Sequence, residues 1–374
     1  MSKQYWWKDR AWRIVQTNLR EIDMADMNAE QYVRELQEFN ANTVIINTGG
    51  IAASYESNIP FHTRNRYLTG DSLKTVINAC KEAGIRVISR VDFSKVRAPL
   101  YEQHPEWAYV SPKGEIIDYH GLIHMCFNSD YQQKIALDII REIIRDINPD
   151  GLFLNMGGYS VALDYTKGYQ GICQCENCRE RFHDLFGLEL PKEDDPDDPI
   201  YQKYKEFQNI TVNEYHKNIK ELIAEEKPEL LFFPIDMLRG EVGTFFDGAD
   251  GNNYMYKGSE LLKLEKYSSP EKVASSICGI ATRRFRPMSR SFVLRRCCQM
   301  ADLLIFIKSD VWTIIKINPA MLLSKKCFVI IWSMKTTTMP IFPPRTSRSS
   351  VHGKRIGARV RSVFRLNITA GTIC

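Results

Sequence analysis

The first 280 residues predict an α/β protein of the (β/α)8 barrel type, and three observations carry that expectation. Strand-like and helix-like segments alternate, with crossovers long enough for helices, which implies a parallel sheet. No G-x-G-x-x-G follows any early strand, which speaks against a doubly wound dinucleotide-binding sheet. Each strand-like segment instead runs out into polar or charged residues, on the side where such a barrel gathers its functional groups.

The elements follow in order. Trp12–Leu19 (WRIVQTNL) reads as the first strand, and Asn28 is placed to cap a helix over Asn28–Asn40. Thr43–Asn47 (TVIIN) is a short apolar run of the kind that fills a buried parallel strand. A helix over Asp71–Ala83 is closed by Gly84, and Arg86–Asp92 (RVISRVD) is the third strand. Tyr131–Ile147 has the period of one long amphipathic helix, and Gly151–Asn155 (GLFLN) is the fourth strand. A helix over Tyr201–Glu226 leads into a fifth strand at Glu229–Ile235 (ELLFFPI). The acidic stretch KEDDPDDP at 192–199 reads as a solvated loop.

Polar residues at the strand ends are the candidate site. They are Arg20, Glu21 and Asp23; Asn47; Arg90, Asp92 and Lys95; Asn155 and Tyr159; and Asp236, Arg239 and Glu241. Any one of them could merely solvate a loop, but five strands in succession favour a polar pocket. Tyr55, Phe61, Tyr67, Trp107, Tyr119 and Tyr159 lie in the loops after strands two, three and four. Such rings stack on sugars, though loop aromatics more often pin a loop to its scaffold. His62, His104, His120 and His124 share these loops without ligand-like helical spacing.

Composition breaks near residue 280. Up to Ile280 there are 32 Lys and Arg against 43 Asp and Glu, a net of −11. From Ala281 to Cys374 there are 18 Lys and Arg against Asp302 and Asp310 alone, a net of +16, and no Glu occurs. A basic tail for nucleic acid is one reading. It fits poorly, because the cations are interleaved with LLIFI and FVIIW. A shifted reading frame is preferred. Taking new codons from the third base of each codon from Gln299 onward, with synonymous choices, residues 300–321 become NGGFADFYQIGRLDNHQDKSGY. The continuation becomes AAIKEVFRYHMEHEDNY, balanced in charge and amphipathic. Residues 281–374 are therefore set aside as a non-native segment, and 1–280 are taken as the barrel region.

No apolar run approaches the roughly 20 residues of a membrane span. The start, MSKQYWWKDRAW, lacks a signal-peptide core, so a cytoplasmic protein with reduced thiols is expected. Those thiols are the most specific motif in the chain. GICQCENCRERF places Cys173, Cys175 and Cys178 in one loop, and HMCFNSD supplies Cys126 from an earlier one. An all-thiolate, four-coordinate set suits structural zinc. A disulfide pair and unligated core cysteines are the alternatives at this stage.

TNLREIDM, FNANTVIINTGGI, RVISRVDFSK, HMCFNSDYQ and DGLFLNMGGY followed by CQCENCRERF resemble the hypothetical glycosyl hydrolases associated with a β-galactosidase trimerisation domain. They are more distantly similar to family 42 β-galactosidases. The resemblance covers about residues 5–280. It implies a (β/α)8 barrel that hydrolyses O-glycosyl bonds, a carbohydrate substrate, and a homotrimer for the intact family member. It also implies a zinc site joining a cysteine of the third strand's loop to a C-x-C-x2-C after the fourth strand. Cys126, Cys173, Cys175 and Cys178 match that layout.

The catalytic pattern departs from the family's. Family 42 enzymes carry Asn-Glu at the end of the fourth strand, where this chain has Asn155-Met156, and a thioether cannot transfer a proton. Glycoside hydrolysis needs two carboxyl groups. The remaining candidates are Asp92, Asp236 and Glu241, with Arg239 placed to keep a carboxylate ionised. Arg20, Asn47, Arg90, Asn155, Tyr159 and Arg239 are the candidate substrate-binding residues. The expected function is a glycoside hydrolase-like protein, inactive as written. A carbohydrate-binding pseudoenzyme is the first alternative. A zinc-containing nucleic-acid-binding protein is the alternative from another class.

Overall fold

The computed structural model describes residues 5–7, 13–164, 167–233, 235–243, 264, 267–268, 273–281 and 304–309. Met1–Thr336 forms one compact unit.

Strand β1 (Ile14–Thr17) leads through a short turn to α1 (Ala29–Glu38). The Asn28 side chain accepts the Gln31 amide, which satisfies one of the unpaired N–H groups at the helix start. Strand β2 (Thr43–Gly50), helix α2 (Ser72–Glu82) and strand β3 (Arg86–Asp92) follow. Helix α2 buries Leu73, Val76, Ile77 and Cys80, the i, i+3, i+4, i+7 stripe of a core-facing helix.

A long excursion leaves β3. It contains β4 (Lys95–Arg97), α3 (Ala98–Gln103), β5 (Asp118–Tyr119) and β6 (Leu122–His124), paired antiparallel in the order β4-β6-β5. The next helix is α4 (Ala136–Glu142), with π-helical turns at Tyr131–Ile135 and Ile143–Ile147. The sequence reads as one regular helix there, because a single extra residue per turn barely disturbs the apolar period.

Strand β7 (Gly151–Asn155), the short hairpin β8 (Leu163–Asp164) and β9 (Gly168–Tyr169), and helices α5 (Glu176–Phe186) and α6 (Pro199–Glu226) come next. The chain then forms β10 (Leu231–Phe233), β11 (Met237–Gly243), β12 (Val273–Ala281) and β13 (Leu304–Ser309). Among the described residues no helix is long and apolar enough to cross a membrane.

Two parallel sheets result, ordered β1-β2-β3-β7-β10 and β11-β12-β13. The first confirms the expected βα alternation. Its strands are almost wholly buried, as expected for a sheet covered on both faces. The strand expected over Glu229–Ile235 narrows to β10, because Asp236 turns the chain back: its amide donates to the Phe232 carbonyl and its carboxylate accepts the Phe232 amide. Of residues 281–374, only Ala281 and the strand β13 are described.

Two apolar clusters form. The larger fills the sheet and its helices. A smaller one packs Tyr109, Ile172, Phe182, Tyr204 and Phe207 around Cys126, Cys173, Cys175 and Cys178. This second cluster ties the β3 excursion to α5 and α6.

Candidate active site and metal centre

In a parallel sheet, residues in register share a face. Asn47 of β2 stands opposite Arg90 of β3, and Asp92 stands opposite Asn155 of β7. Arg90 and Asp92 are two residues apart, so all four lie on one face near the C-terminal strand ends. The register therefore brings four of the predicted site residues together.

Asp92 anchors this row and is 8% exposed. One carboxylate oxygen accepts the Ser94 amide at 3.0 Å and the Ser94 hydroxyl at 2.6 Å. The other accepts the Asn155 amide at 2.7 Å. Lys95 is also buried and donates to the Ser94 hydroxyl at 3.1 Å. Burial pushes the Lys95 ammonium down, while Asp92 supports its charge. The Asn47 side-chain oxygen is buried and has no hydrogen-bond partner among the described residues.

Gly50 fixes how β2 meets β3. Its φ is +106°, and a Cβ there would lie 2.2 Å from the Asp92 carbonyl oxygen. The Gly50 amide donates to His62 Nε2 at 3.1 Å. His62 Nδ1 lies 3.2 Å from the Ser57 hydroxyl, which donates to Glu142 at 2.5 Å. Glu142 also accepts from Tyr55 Oη at 2.7 Å and from the Asn58 amide at 2.6 Å. The loop after β2 is thus clasped to α4. Burial pushes the His62 pKa down to about 4.

Other predicted residues have different surroundings. Arg20 pairs with Asp23 at 3.1 Å in the turn after β1. Asp236 holds Lys220 at 3.2 Å besides closing the β10 turn. Arg239 and Glu241 lie on β11, and their side chains fall outside the described residues. Met156 has a φ of +54°, an uncommon backbone state for a bulky residue. Among the loop aromatics, Tyr55 is committed to Glu142, and Trp107 stacks on His104 with centroids 3.8 Å apart.

The four cysteines converge. Cys126, Cys173, Cys175 and Cys178 are all buried, and their Sγ atoms lie within 4.8 Å of one another. This is a group that can hold a metal ion. Cys126 Sγ and Cys178 Sγ are 3.3 Å apart, far beyond the roughly 2.05 Å of a disulfide, and all four cysteines are free. Burial pushes the Cys126 thiol up. Hydrogen bonding from Cys126 and the other two thiols holds Cys175 down. A cation at the centre would remove that conflict by stabilising every thiolate.

Polar groups surround the sulfurs. Asn128 donates its backbone amide to Cys126 Sγ and its side-chain amide to Cys178 Sγ, each at 3.2 Å. Arg181 fixes the Asn128 oxygen at 3.0 Å. Tyr159 Oη meets the Asn128 amide at 3.1 Å and Thr211 at 2.8 Å. Tyr159 is therefore a support of the cysteine cluster in this structure. Neither Asn128 nor Glu142 stands out in the sequence, since each acts only through tertiary contacts.

Residues 28–156 match the family model of Hypothetical glycosyl hydrolase 6. That is a little over a third of the chain, and it includes β2, β3, Cys126 and the Asn155-Met156 pair. No curated protein matches the chain.

Among solved structures, α-L-fucosidase isoenzyme 2 from Paenibacillus thiaminolyticus is similar with a TM-score of 0.57 and 15% identity. The match covers 83% of this chain and 48% of that one. A catalytic-mutant GH42 β-galactosidase from G. stearothermophilus gives a TM-score of 0.51 and 14% identity, covering 86% of this chain and 51% of that one. At these identities the likeness is one of α/β fold. The chain spans about half the length of these two structures.

Proposed function

We propose that this chain is a glycoside hydrolase-like protein whose carbohydrate site lies at the C-terminal ends of β2, β3 and β7. One observation carries this reading: the row Asn47, Arg90, Asp92 and Asn155 sits at those strand ends within the segment that matches Hypothetical glycosyl hydrolase 6. The fold shared with a fucosidase and a β-galactosidase supports it. In our reading the sheet β1-β2-β3-β7-β10 is part of a (β/α)8 barrel that is incomplete in this chain.

The cysteine set fits structural zinc. Tetrahedral coordination with Zn–S bonds of about 2.3 Å requires sulfurs about 3.8 Å apart, close to the spread in this cluster. Cys126, Cys173, Cys175 and Cys178 would hold the ion, which would supply a cross-link between the β3 excursion and the loop before α5 and no catalytic step.

Asp92 is the described carboxylate best placed to stabilise positive charge on a sugar ring, with Asn155 and Ser94 holding it. Asp236 and Glu241 are proposed only as the second carboxyl group. Met156 supplies no proton, so we propose that the chain as written binds sugar without hydrolysing it. The pseudoenzyme alternative rests on the same residue. Residues 281–374, the proposed out-of-frame segment, are assigned no role, and nucleic acid is not among the proposed partners. Trimerisation belongs to the intact family member in this account.

A panel of aryl glycosides tests the proposal. The expected result is no turnover by the chain as written. Turnover abolished by Asp92→Asn would show that a competent carboxyl pair survives. Turnover indifferent to Asp92→Asn and Asp236→Asn would place the chemistry elsewhere.

A further inference from the structure

The four sulfurs of the cysteine cluster are not enclosed alike. Cys126 and Cys178 are 0% and 1% exposed, and both accept N–H groups of Asn128. The Cys126 amide is itself held by the Trp107 carbonyl at 2.7 Å, and Cys178 lies within the first turn of α5. Freeing either sulfur would break these bonds and open packed structure. Cys173 borders a cavity of about 20 Å³, room for a single water.

Cys175 has a different outlook. A cavity of about 750 Å³ lies between the loop at 105–114 and the start of α5, and Cys175 is the one cysteine on its wall. That volume falls within the roughly 300–1,000 Å³ that accommodates a small organic ligand. Asp92 and Asn155 do not line it, so it is separate from the row at the sheet. Cys175 is also the N-cap of α5, and helix ends open more readily than helix interiors.

The charges of the wall bear on what can enter. Glu106, Glu176 and Glu180 share it with Arg179 and Lys192. The formal balance is slightly negative, which favours the passage of a cation over that of a free anion.

We propose that this cavity is the port through which the metal centre exchanges its ion, with Cys175 the thiolate that lets go first. A small chelator or thiol carrier would reach the ion from the cavity. One bond from Cys175 to the ion breaks as one bond from the incoming donor forms, and no electrons are transferred. Cys126 and Cys178, fastened by Asn128, would be released last. The inference rests on the zinc reading above and deepens it by naming the route and the order of release.

Chelator-driven release tests this on the full chain, after its zinc content has been measured. Excess chelator is added with N-ethylmaleimide, and chelator-dependent alkylation is followed cysteine by cysteine with peptide mass spectrometry. The same assay is run on Arg179→Trp, which places a bulky ring on the cavity wall one turn from Cys175 and leaves all four ligands in place. The expected result is that Cys175 is alkylated ahead of Cys126, Cys173 and Cys178. Arg179→Trp should bind zinc as the parent does and release it several-fold more slowly. Alkylation of another cluster cysteine first, or of all four at one rate, overturns the order. Release at the parent rate from a folded, zinc-loaded Arg179→Trp overturns the cavity as the route. If that variant fails to fold, the labelling order in the parent decides. A folded parent that binds no zinc overturns the zinc reading and the port together, whereas a zinc-loaded parent with the wrong order overturns the port alone.

Discussion

His62 offers a quantitative check on the clasp that shapes the β2–β3 exit. Its Nε2 accepts the Gly50 amide, and the ring is held near pKa 4 by burial, against an ordinary value of 6.5. Glu142 is the charged group that opposes this shift. Above pH 6.5 the ring is neutral whether the chain is folded or unfolded, and folding is not penalised. As pH falls from 6.5 toward 4, the unfolded chain binds a proton that the folded chain refuses, so stability is lost across that window. The full gap of about 2.5 pH units corresponds to about 3 kcal/mol, and about 2 kcal/mol of it falls between pH 7 and pH 5. Urea unfolding at both pH values, on the parent and on His62→Gln, isolates this contribution from other titrating groups. The parent should lose about 2 kcal/mol more than the variant on going to pH 5. Parallel losses in the two proteins would refute the assignment of His62 as a buried neutral acceptor.

Three further outcomes are expected. Elemental analysis should find about one zinc per chain in the parent and a marked loss in Cys175→Ser; equal content in both, or none in either, removes the site. Tyr159→Phe deletes the hydroxyl that joins Asn128 to Thr211; it should cost about 1–3 kcal/mol in urea unfolding and speed zinc release to a chelator, whereas an unchanged release rate would detach Tyr159 from the metal centre. Sequencing the coding DNA across codons 278–300 should show one inserted or deleted base relative to an intact open frame. An uninterrupted frame would contradict that reading.

Much of the first sheet was legible because buried parallel strands are short apolar runs, and TVIIN, RVISRVD and GLFLN are of that kind. Asn28 as a helix cap was equally readable, since its side chain acts within three residues. The convergence of Cys126 with the CQCENC loop was expected from the layout of the resembling family, and the structure supplies the distances. The β4–β6 hairpin was not legible. Its strands are three residues long, too short for any period to show, and Lys95 and His124 meet only through their register. The Glu142 clasp joins residues more than eighty positions apart, so it has no local signature. Asp92 and Asn155 were each visible as strand-end polar groups, whereas the hydrogen bond between them depends on the β3–β7 register.

A carbohydrate site at the ends of β2, β3 and β7 requires that sugar binding depend on Asp92. Uncharged monosaccharides and disaccharides should be titrated calorimetrically into the parent chain and into Asp92→Asn. Cooperative thermal melts of both proteins would establish that each is folded. At least one sugar should bind the parent, and its affinity should fall about tenfold or more when the carboxylate becomes an amide. A folded parent that binds none of them, or binding that is indifferent to Asp92→Asn, would contradict the assignment of a carbohydrate site to the ends of β2, β3 and β7.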